Sequence, residues 1–247
     1  MVKKIGILTS GGDAPGMNAA IVGAIRTGYK LNKEMYVVYD GYKGLINNNF
    51  VKVGPDFAQD KINTGGTLIK TARLPEFKEE SVRKIAVENL KKEGIEALIV
   101  IGGDGSYMGA KKLTEMGINC IGLPGTIDND IHSTDTTIGF DTALNNVCEA
   151  IDKICDTMSS HNRCVLVEVM GNKCPDLTLY AGIASNADFI YTIDRPIDID
   201  KLVEELNKKK EENQDHVLIL VSEKLFDINA LAKEIASRTK WDTRVDV

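Results

Sequence analysis

Short apolar runs that alternate with amphipathic helical patterns constrain the fold of this chain more than any other feature. The runs are residues 4–10, 36–40, 97–103, 120–125, 164–171, 188–193 and 216–223. Because they are apolar almost throughout, they predict strands of a parallel sheet that is buried on both faces. The helical patterns cover residues 81–92, 139–158, 199–213 and 227–240. This alternation predicts a layered α/β protein.

A polar, turn-rich stretch at residues 125–137 divides the chain. It predicts one unit over residues 1–138 and a second unit over residues 139–247. After the last helical pattern, Arg244 and Val245 resemble the start of another strand. We therefore expect the second unit to be incomplete at its C-terminal end.

Charge and cysteine content narrow the class of protein. A net charge of −6 disfavours nucleic acid or an anionic membrane as the main partner. No apolar stretch approaches the roughly 20 residues that a membrane-spanning helix needs. The N-terminal run is short and ends in Gly-Gly-Asp, which favours a first strand over a signal peptide. Five cysteines, an odd number without C-x-x-C spacing, favour a reduced, cytoplasmic chain.

Two apolar runs lead into glycine-rich loops that precede helices. In LTSGGDAPGMNAA (8–20), the loop contains Gly11 and Gly12, and a helix opens near Gly16. Glycines let backbone amides approach an anion closely, and a helix N-terminus adds favourable partial charge. Because the loop matches neither a P-loop nor a dinucleotide fingerprint, it fits a phosphate site and an ordinary strand-to-helix turn about equally well.

The second loop, IGGDGSYMGA (101–110), places Asp104 at the carboxyl end of a predicted strand. Ligands collect at this edge of open α/β sheets. A carboxylate beside phosphate-accepting glycines suits Mg²⁺, which takes one or two carboxylates together with phosphate oxygens and water. Ser106 could instead serve only as a cap of the next helix. Two such loops at two strand ends point to a phosphate site more specifically than either alone.

A third strand end carries PGTIDND (124–130), the densest group of carboxylates in a turn-rich stretch. Thr126, Asp128 and Asp130 would lie at the same sheet edge as the glycine loops. In an extended segment the two aspartates would face the same side. One could then accept a proton from a substrate hydroxyl while the other steers Mg²⁺, and Thr126 could hold a transferring phosphoryl oxygen. The alternative is a turn with capping Asp and Asn side chains.

Two arginines could meet phosphate groups. Arg73 follows Gly65-Gly66-Thr67, and Arg163 precedes a predicted strand. A single arginine usually lies on the surface, so neither identifies a site alone.

Nine motifs, in order along residues 8–171, together resemble bacterial 6-phosphofructokinases. They are LTSGGDAPGMNAA, YDGYKGL, INTGGT, ARLPEF, IGGDGSYMGA, GLPGTIDNDI, TIGFDTA, SSHNR and VEVMG. A looser resemblance continues from Glu223 to Arg244. It implies a phosphofructokinase-like fold of two similar three-layer α/β/α units with mostly parallel sheets. It also implies glycolytic transfer of a phosphoryl group from Mg-ATP to the C1 hydroxyl of fructose 6-phosphate.

The resemblance implies a role for each matching residue. Asp128 would be the general base, with Thr126 and Asp130 beside it, and Asp104 would hold Mg²⁺. The implied ATP-binding residues of the first unit are Gly12, Arg73, Leu74, Gly103, Asp104, Gly105 and Ser106. The implied sugar-binding residues, which include most of the second unit's site, are Thr126, Asp128, Asp130, Arg163, Met170, Gly171, Glu223 and Arg244. Arg163 and Arg244 look like the family's arginines that reach the sugar phosphate across a subunit interface, which implies a homotetramer.

The resemblance also bears on the phosphoryl donor. Pyrophosphate-using relatives typically carry Asp and Lys where this chain has Gly105 and Gly125. The two glycines therefore favour ATP, because they leave room for the rest of the nucleotide.

The chain departs from the family pattern in three places. On the sugar side, Asn172 replaces an arginine and Pro175 replaces a glycine, which weakens that assignment. The effector site keeps Arg26 but lacks other expected basic residues; those positions hold Val22, Pro55, Cys155, Asn213 and Asp215. Since each charge-assisted hydrogen bond is worth roughly 1.5–3 kcal/mol, we expect weak or absent control by ADP or phosphoenolpyruvate. The family continues past Arg244 into a further sugar-phosphate-binding segment, so we expect this chain alone to be poorly active.

Three alternatives stay open at this point. NAD kinases and lipid kinases share a loop like that at residues 102–106, but not the other motifs. A catalytically impaired, truncated paralogue that still binds Mg-ATP would fit the missing segment, while the intact Asp104, Asp128 and Asp130 weigh against it. A pyrophosphate-dependent phosphofructokinase is disfavoured by Gly105 and Gly125.

Overall fold

The computed structural model describes residues 2–247. The chain divides into two compact units, one that ends at Gly139 and one that begins at Phe140. Both are α/β units with mostly parallel sheets, which confirms the predicted fold class. Within residues 2–247, no helix is both long enough and apolar enough to cross a membrane.

The first unit is built on a five-stranded sheet with helices on both faces. Its elements are β1 (Lys4–Ser10), α1 (Met17–Lys30), β2 (Glu34–Val38), α2 (Gly41–Ile46), β3 (Phe50–Val53), α3 (Glu80–Glu93), β4 (Ala97–Gly102), α4 (Asp104–Glu115) and β5 (Asn119–Pro124), with 3-10 turns at Gln59–Lys61 and Pro75–Lys78. The strand order is β3-β2-β1-β4-β5, and only β3 runs antiparallel to its neighbour among these described strands. Neighbouring residues of β1 point to opposite layers: Ile7 packs with α1, whereas Leu8 packs with α2, α3 and α4.

The second unit is built on a four-stranded parallel sheet with the order β7-β8-β6-β9. Its elements are α5 (Phe140–Ser160), β6 (Arg163–Val169), α6 (Asp176–Ala184), β7 (Phe189–Tyr191), α7 (Ile199–Glu211), β8 (Val217–Ser222), α8 (Ile228–Arg238) and β9 (Asp242–Asp246). One face packs on α7 and α8, where Ile219 of β8 lies in the same cluster as Leu206 and Ile235. On the other face, Ser222 Oγ donates to Thr178 Oγ1 of α6 at 2.8 Å.

A half-buried carboxylate joins α7 to the sheet of the second unit. Asp188, just before β7, accepts hydrogen bonds from Lys209 Nζ at 2.9 Å, Gln214 Nε2 at 2.8 Å and the Leu218 amide at 2.9 Å. Burial raises the pKa of the Asp188 carboxyl, but these three donors outweigh burial and hold the pKa below its usual range. The ionised carboxylate therefore stabilises the folded unit.

Most predicted strands are present within one or two residues of their predicted bounds. The strand expected around Arg244 and Val245 exists as β9. β2 begins at Glu34 and ends at Val38, earlier than predicted, because Asp40 adopts a left-handed φ of 61° before α2. The short β3 was not predicted, since only four residues form it.

The prediction that every strand is buried on both faces is wrong for β5. This strand lies at the edge of the first sheet, and Ile121 at its centre is 66% exposed. The apolar sequence of β5 therefore correctly predicts a strand of the sheet, but it does not predict that the strand is buried.

Candidate functional site

The carboxyl ends of three parallel strands of the first unit lie in one row. Ser10 at the end of β1 pairs in register with Gly102 at the end of β4, and Gly102 pairs with Pro124 at the end of β5. The three loops singled out in the sequence start directly after this row and are therefore neighbours. β1 leads to β2 on one side while β4 lies on the other, so the row contains the topological switch point where open α/β sheets bind ligands.

The loop after β4 leads directly into α4. Gly103 is the last residue before the helix, and its carbonyl oxygen accepts from the Ser106 amide at 3.0 Å. Asp104 and Gly105 are the first two helical residues, and both are exposed. Because the first amides of a helix lack intrahelical acceptors, this turn presents backbone donors to solvent beside the Asp104 carboxylate.

Ser106 does not cap α4, contrary to the cap reading. Its side chain is buried, and Oγ donates to the Ser10 carbonyl oxygen at 2.9 Å. The hydroxyl of Tyr42 donates to the Ser106 carbonyl oxygen at 2.5 Å, and burial raises the pKa of Tyr42. These bonds fix the first turn of α4 to the end of β1 and to α2. Tyr42 was not among the predicted site residues, although it lies in the motif YDGYKGL.

The loop after β5 closes on itself. The Ile138 amide donates to the Pro124 carbonyl oxygen at 2.9 Å, and the Gly139 amide donates to the Thr126 carbonyl oxygen at 3.1 Å. Thr126 also lies beside the loop after β4, since a Cβ built on Gly103 would be 3.6 Å from the Thr126 Cβ. The structure therefore brings Thr126 and the glycines of the second loop together.

The segment that carries the two aspartates is a turn rather than an extended strand. Asn129, between them, has a left-handed φ of 56°. The expectation that Asp128 and Asp130 share one side of an extended segment is therefore wrong. The two residues also differ in environment: Asp128 is half-buried, with its amide donating to Thr126 Oγ1 at 3.1 Å, while Asp130 is exposed.

Gly105 and Gly125 differ in the space around them. A Cβ on Gly105 would meet no heavy atom within 4 Å, so this glycine borders open space. A Cβ on Gly125 would lie 2.6 Å from Cγ2 of the fully buried Ile101. The expectation that both glycines leave room for a ligand therefore fits Gly105 only, because the space at Gly125 is filled by the protein itself.

The loop that contains Arg73 lies against the end of β1. Thr71 Oγ1 donates to the Gly11 carbonyl oxygen at 2.9 Å, and a Cβ on Gly66 would be 3.9 Å from Asp13 Oδ2. Arg73 is exposed, two residues after Thr71. Gly12 is exposed as well and borders open space, and the half-buried Leu74 packs against the core on the α2–α4 face.

The Mg²⁺ that the resemblance implies would lie beside Asp104. No group of three or more His, Cys, Asp or Glu side chains within residues 2–247 could hold a metal ion by itself. Asp104 is nevertheless exposed beside the open space at Gly105. One carboxylate next to room for phosphate oxygens and water is the donor set that Mg²⁺ takes with a nucleotide. The residues therefore fit an ion that arrives with its nucleotide.

In the second unit, the predicted sugar-binding residues fall into two groups at opposite ends of β6. Met170 and Gly171 follow β6, and Glu223 follows the neighbouring β8. Glu223 Oε1 accepts from the amides of Gly171 at 3.1 Å and of Asn172 at 2.7 Å. The structure thus brings these three predicted residues together, and the Glu223 carboxylate fixes the turn after β6.

Arg163 and Arg244 lie at the amino end of β6. Arg163 is its first residue, and Arg244 of β9 is in register with Val165. Both guanidinium groups contact Asp242: Arg163 Nε at 3.0 Å and Arg244 Nη2 at 3.3 Å. The arginines border a groove of about 400 Å³ that Lys153 also lines. Asp242 was not among the predicted site residues, although it lies two residues before Arg244 and therefore on the same face of the strand.

The whole chain is similar to known proteins of one family. The family described as Phosphofructokinase matches residues 4–247. An ATP-dependent 6-phosphofructokinase from Vibrio campbellii is 55% identical over the whole chain, which spans 77% of that relative's length. The phosphofructokinase structure from Saccharomyces cerevisiae has a TM-score of 0.89 at 36% identity, covering 98% of this chain and 37% of the yeast chain. The T-state structure from Pichia pastoris has a TM-score of 0.90 at 33% identity, covering the whole chain and 31% of its own. The chain therefore belongs to the phosphofructokinase family.

Proposed function

We propose that this protein transfers a phosphoryl group from Mg-ATP to the C1 hydroxyl of fructose 6-phosphate, the glycolytic step that gives fructose 1,6-bisphosphate in the cytoplasm. The observation that carries the proposal is the row formed by Ser10, Gly102 and Pro124. It places two glycine loops, a helix N-terminus and the Thr126–Asp130 turn side by side. Phosphoryl transfer depends mainly on positioning and charge stabilisation, and this row supplies groups for both.

The donor side is formed by the loops after β1 and β4. The exposed Gly12 and Gly105, the half-buried Gly103 and the first amides of α4 would bind the phosphates. Asp104 would hold Mg²⁺, which neutralises charge on the phosphate oxygens when it is bound. Arg73 would meet the same phosphates from the loop that contacts Gly11. The open space at Gly105 supports ATP rather than pyrophosphate as donor, since a larger group can pass there.

The chemistry is assigned to the turn after β5. Asp128 would accept the proton of the C1 hydroxyl as general base, since its half-buried carboxylate lies at the same edge of the sheet as Asp104. Thr126, held beside Gly103, would bind an oxygen of the transferring group. The exposed Asp130 would contact the sugar rather than share the proton.

The acceptor side is assigned to the second unit. Met170, Gly171 and Glu223 would contact the sugar from the turn that the Glu223 carboxylate holds. Arg163 and Arg244 lie at the opposite end of β6. A role for these arginines in binding sugar phosphate would therefore require another subunit, as in the homotetramer that the resemblance implies.

A coupled assay with fructose 6-phosphate and Mg-ATP tests the proposal. Loss of a general base typically costs about 10²–10⁴-fold in rate, so Asp128→Ser should lower kcat by that factor while Mg-ATP still binds. Asp60→Ser, an exposed aspartate in the Gln59–Lys61 turn, is the matched control and should keep full activity. Equal rates for Asp128→Ser and the unmodified protein would refute the assignment of the base. Mg-ATP binding without any product would support the impaired paralogue instead.

A further inference from the structure

The loop from Thr64 to Arg73 has no helix or strand of its own, although it lies at the candidate phosphate site. It runs between the 3-10 turns at Gln59–Lys61 and Pro75–Lys78. Its shape must therefore come from bonds to other elements. Two buried polar side chains, Thr9 in β1 and Asn18 in α1, supply most of them.

Asn18 is 2% exposed and uses both ends of its side-chain amide on this loop. Nδ2 donates to the Thr64 carbonyl oxygen at 2.9 Å and to the Gly65 carbonyl oxygen at 3.3 Å. Oδ1 accepts from the Leu68 amide at 2.8 Å. One side chain thus both donates to and accepts from the backbone of the turn Thr64–Leu68. An ionised carboxylate can only accept, and an apolar side chain can do neither.

Thr9 is fully buried and contacts the next part of the loop, after the residues that Asn18 holds. Its Oγ1 lies 2.9 Å from Thr67 Oγ1 and 3.0 Å from the Lys70 carbonyl oxygen. Next along the loop comes the bond from Thr71 Oγ1 to the Gly11 carbonyl oxygen. Since two residues span at most about 7 Å, Arg73 is held within side-chain reach of the Gly11–Asp13 loop.

We propose that Thr9 and Asn18 are positioning residues that hold Arg73 against the donor phosphates. This inference rests on the proposed function, because it needs a phosphoryl donor at the row of strand ends. Both side chains are buried, and their polar atoms bond to the loop backbone or to the Thr64 and Thr67 hydroxyls rather than to the donor. Their effect on the reaction therefore passes through the placement of the loop.

The chain offers well-matched variants for the test. Thr9→Val removes the hydroxyl and keeps the volume, whereas Thr9→Ser keeps the hydroxyl and loses a methyl group. Asn18→Ala removes the loop contacts. Asn89→Ala removes a similar amide, whose Nδ2 donates to the carbonyl oxygens of Leu45 at 2.9 Å and Ile46 at 2.8 Å, away from the strand-end row.

The affinity for Mg-ATP, kcat and the midpoint of thermal unfolding are measured for each variant. Because small misplacements of a positioning group cost about 10–100-fold, Thr9→Val and Asn18→Ala should lower Mg-ATP affinity or kcat by that factor. KM for fructose 6-phosphate should stay within about twofold. Thr9→Ser and Asn89→Ala should keep both donor affinity and kcat, even where their unfolding midpoint falls.

The outcomes separate this inference from the proposed function. If the unmodified protein binds Mg-ATP but forms no product, the proposed function is refuted. The positioning role can then still be tested by comparing the Mg-ATP affinities of the variants. Equal losses in Thr9→Ser and Thr9→Val, or in Asn18→Ala and Asn89→Ala, would show a purely structural role and overturn the inference. No Mg-ATP binding by the unmodified protein would overturn both.

Discussion

Replacing Gly105 by alanine should make the protein more stable and at the same time weaken its binding of nucleotide. Gly105 is the second residue of α4, and a Cβ there would meet no heavy atom within 4 Å. The methyl group therefore adds no clash, and alanine lowers the backbone entropy of the unfolded chain. Gly→Ala changes of this kind raise the free energy of unfolding by about 0.5–1 kcal/mol, or the melting temperature by roughly 1–4 °C at this size.

The same methyl group would occupy the space assigned to the donor phosphates. Loss of one charge-assisted hydrogen bond is worth about 1.5–3 kcal/mol, so the affinity for Mg-ATP should fall by about tenfold or more. Gly23→Ala is the matched control, because Gly23 lies exposed inside α1 with no atom within 4 Å of its Cβ. It should raise the melting temperature and leave Mg-ATP affinity unchanged.

Thermal unfolding and titration with Mg-ATP measure the two effects on the same samples. Destabilisation by Gly105→Ala would refute the argument that this position is open. Stabilisation with unchanged nucleotide affinity would show that the open space is not where the donor binds.

Three further results are expected. Gly125→Ala should lower the free energy of unfolding by about 1–3 kcal/mol in urea titrations, because its Cβ would lie 2.6 Å from Ile101 Cγ2; an unchanged midpoint would contradict the packing argument. The stabilisation from the lowered pKa of Asp188 should be complete above the ordinary carboxyl pKa of 3.8 and lost as the pH falls through the lower folded-state pKa, so Asp188→Asn should flatten the dependence of unfolding on pH in this acid range. Added ADP should not change the shape of saturation curves for fructose 6-phosphate, given the missing basic residues of the effector region; sigmoidal kinetics relieved by ADP would count against this.

The sequence was most informative where a chemical pattern coincided with a strand end. β1 has the predicted bounds, and the loops after β1, β4 and β5 begin where the apolar runs stop. Parallel strands in one sheet end at one edge, so linear spacing alone brings Asp104, Thr126 and Asp128 to the same rim. That part of the candidate site could be predicted without the structure.

The parts that could not be predicted depend on backbone conformation or on distant partners. The left-handed φ of Asn129 turns the chain between Asp128 and Asp130. The spacing of apolar and polar residues in the sequence does not predict which residue adopts such a φ. Ser106 reads as a helix cap, but it bonds to Ser10, which lies 96 residues away in the chain. Buried polar residues such as Asn18 look like ordinary helix positions until the loop that they hold is visible.

The contact of Asp242 with Arg163 and Arg244 has a consequence for the speed of encounter rather than for final affinity. The carboxylate lies 3.0 Å from one guanidinium group and 3.3 Å from the other, so it cancels about half of their charge as seen from a distance. A phosphorylated molecule that approaches this end of the sheet is therefore attracted by a weak field. Its association rate should change little with ionic strength, and Asp242→Asn should make association both faster and strongly dependent on salt.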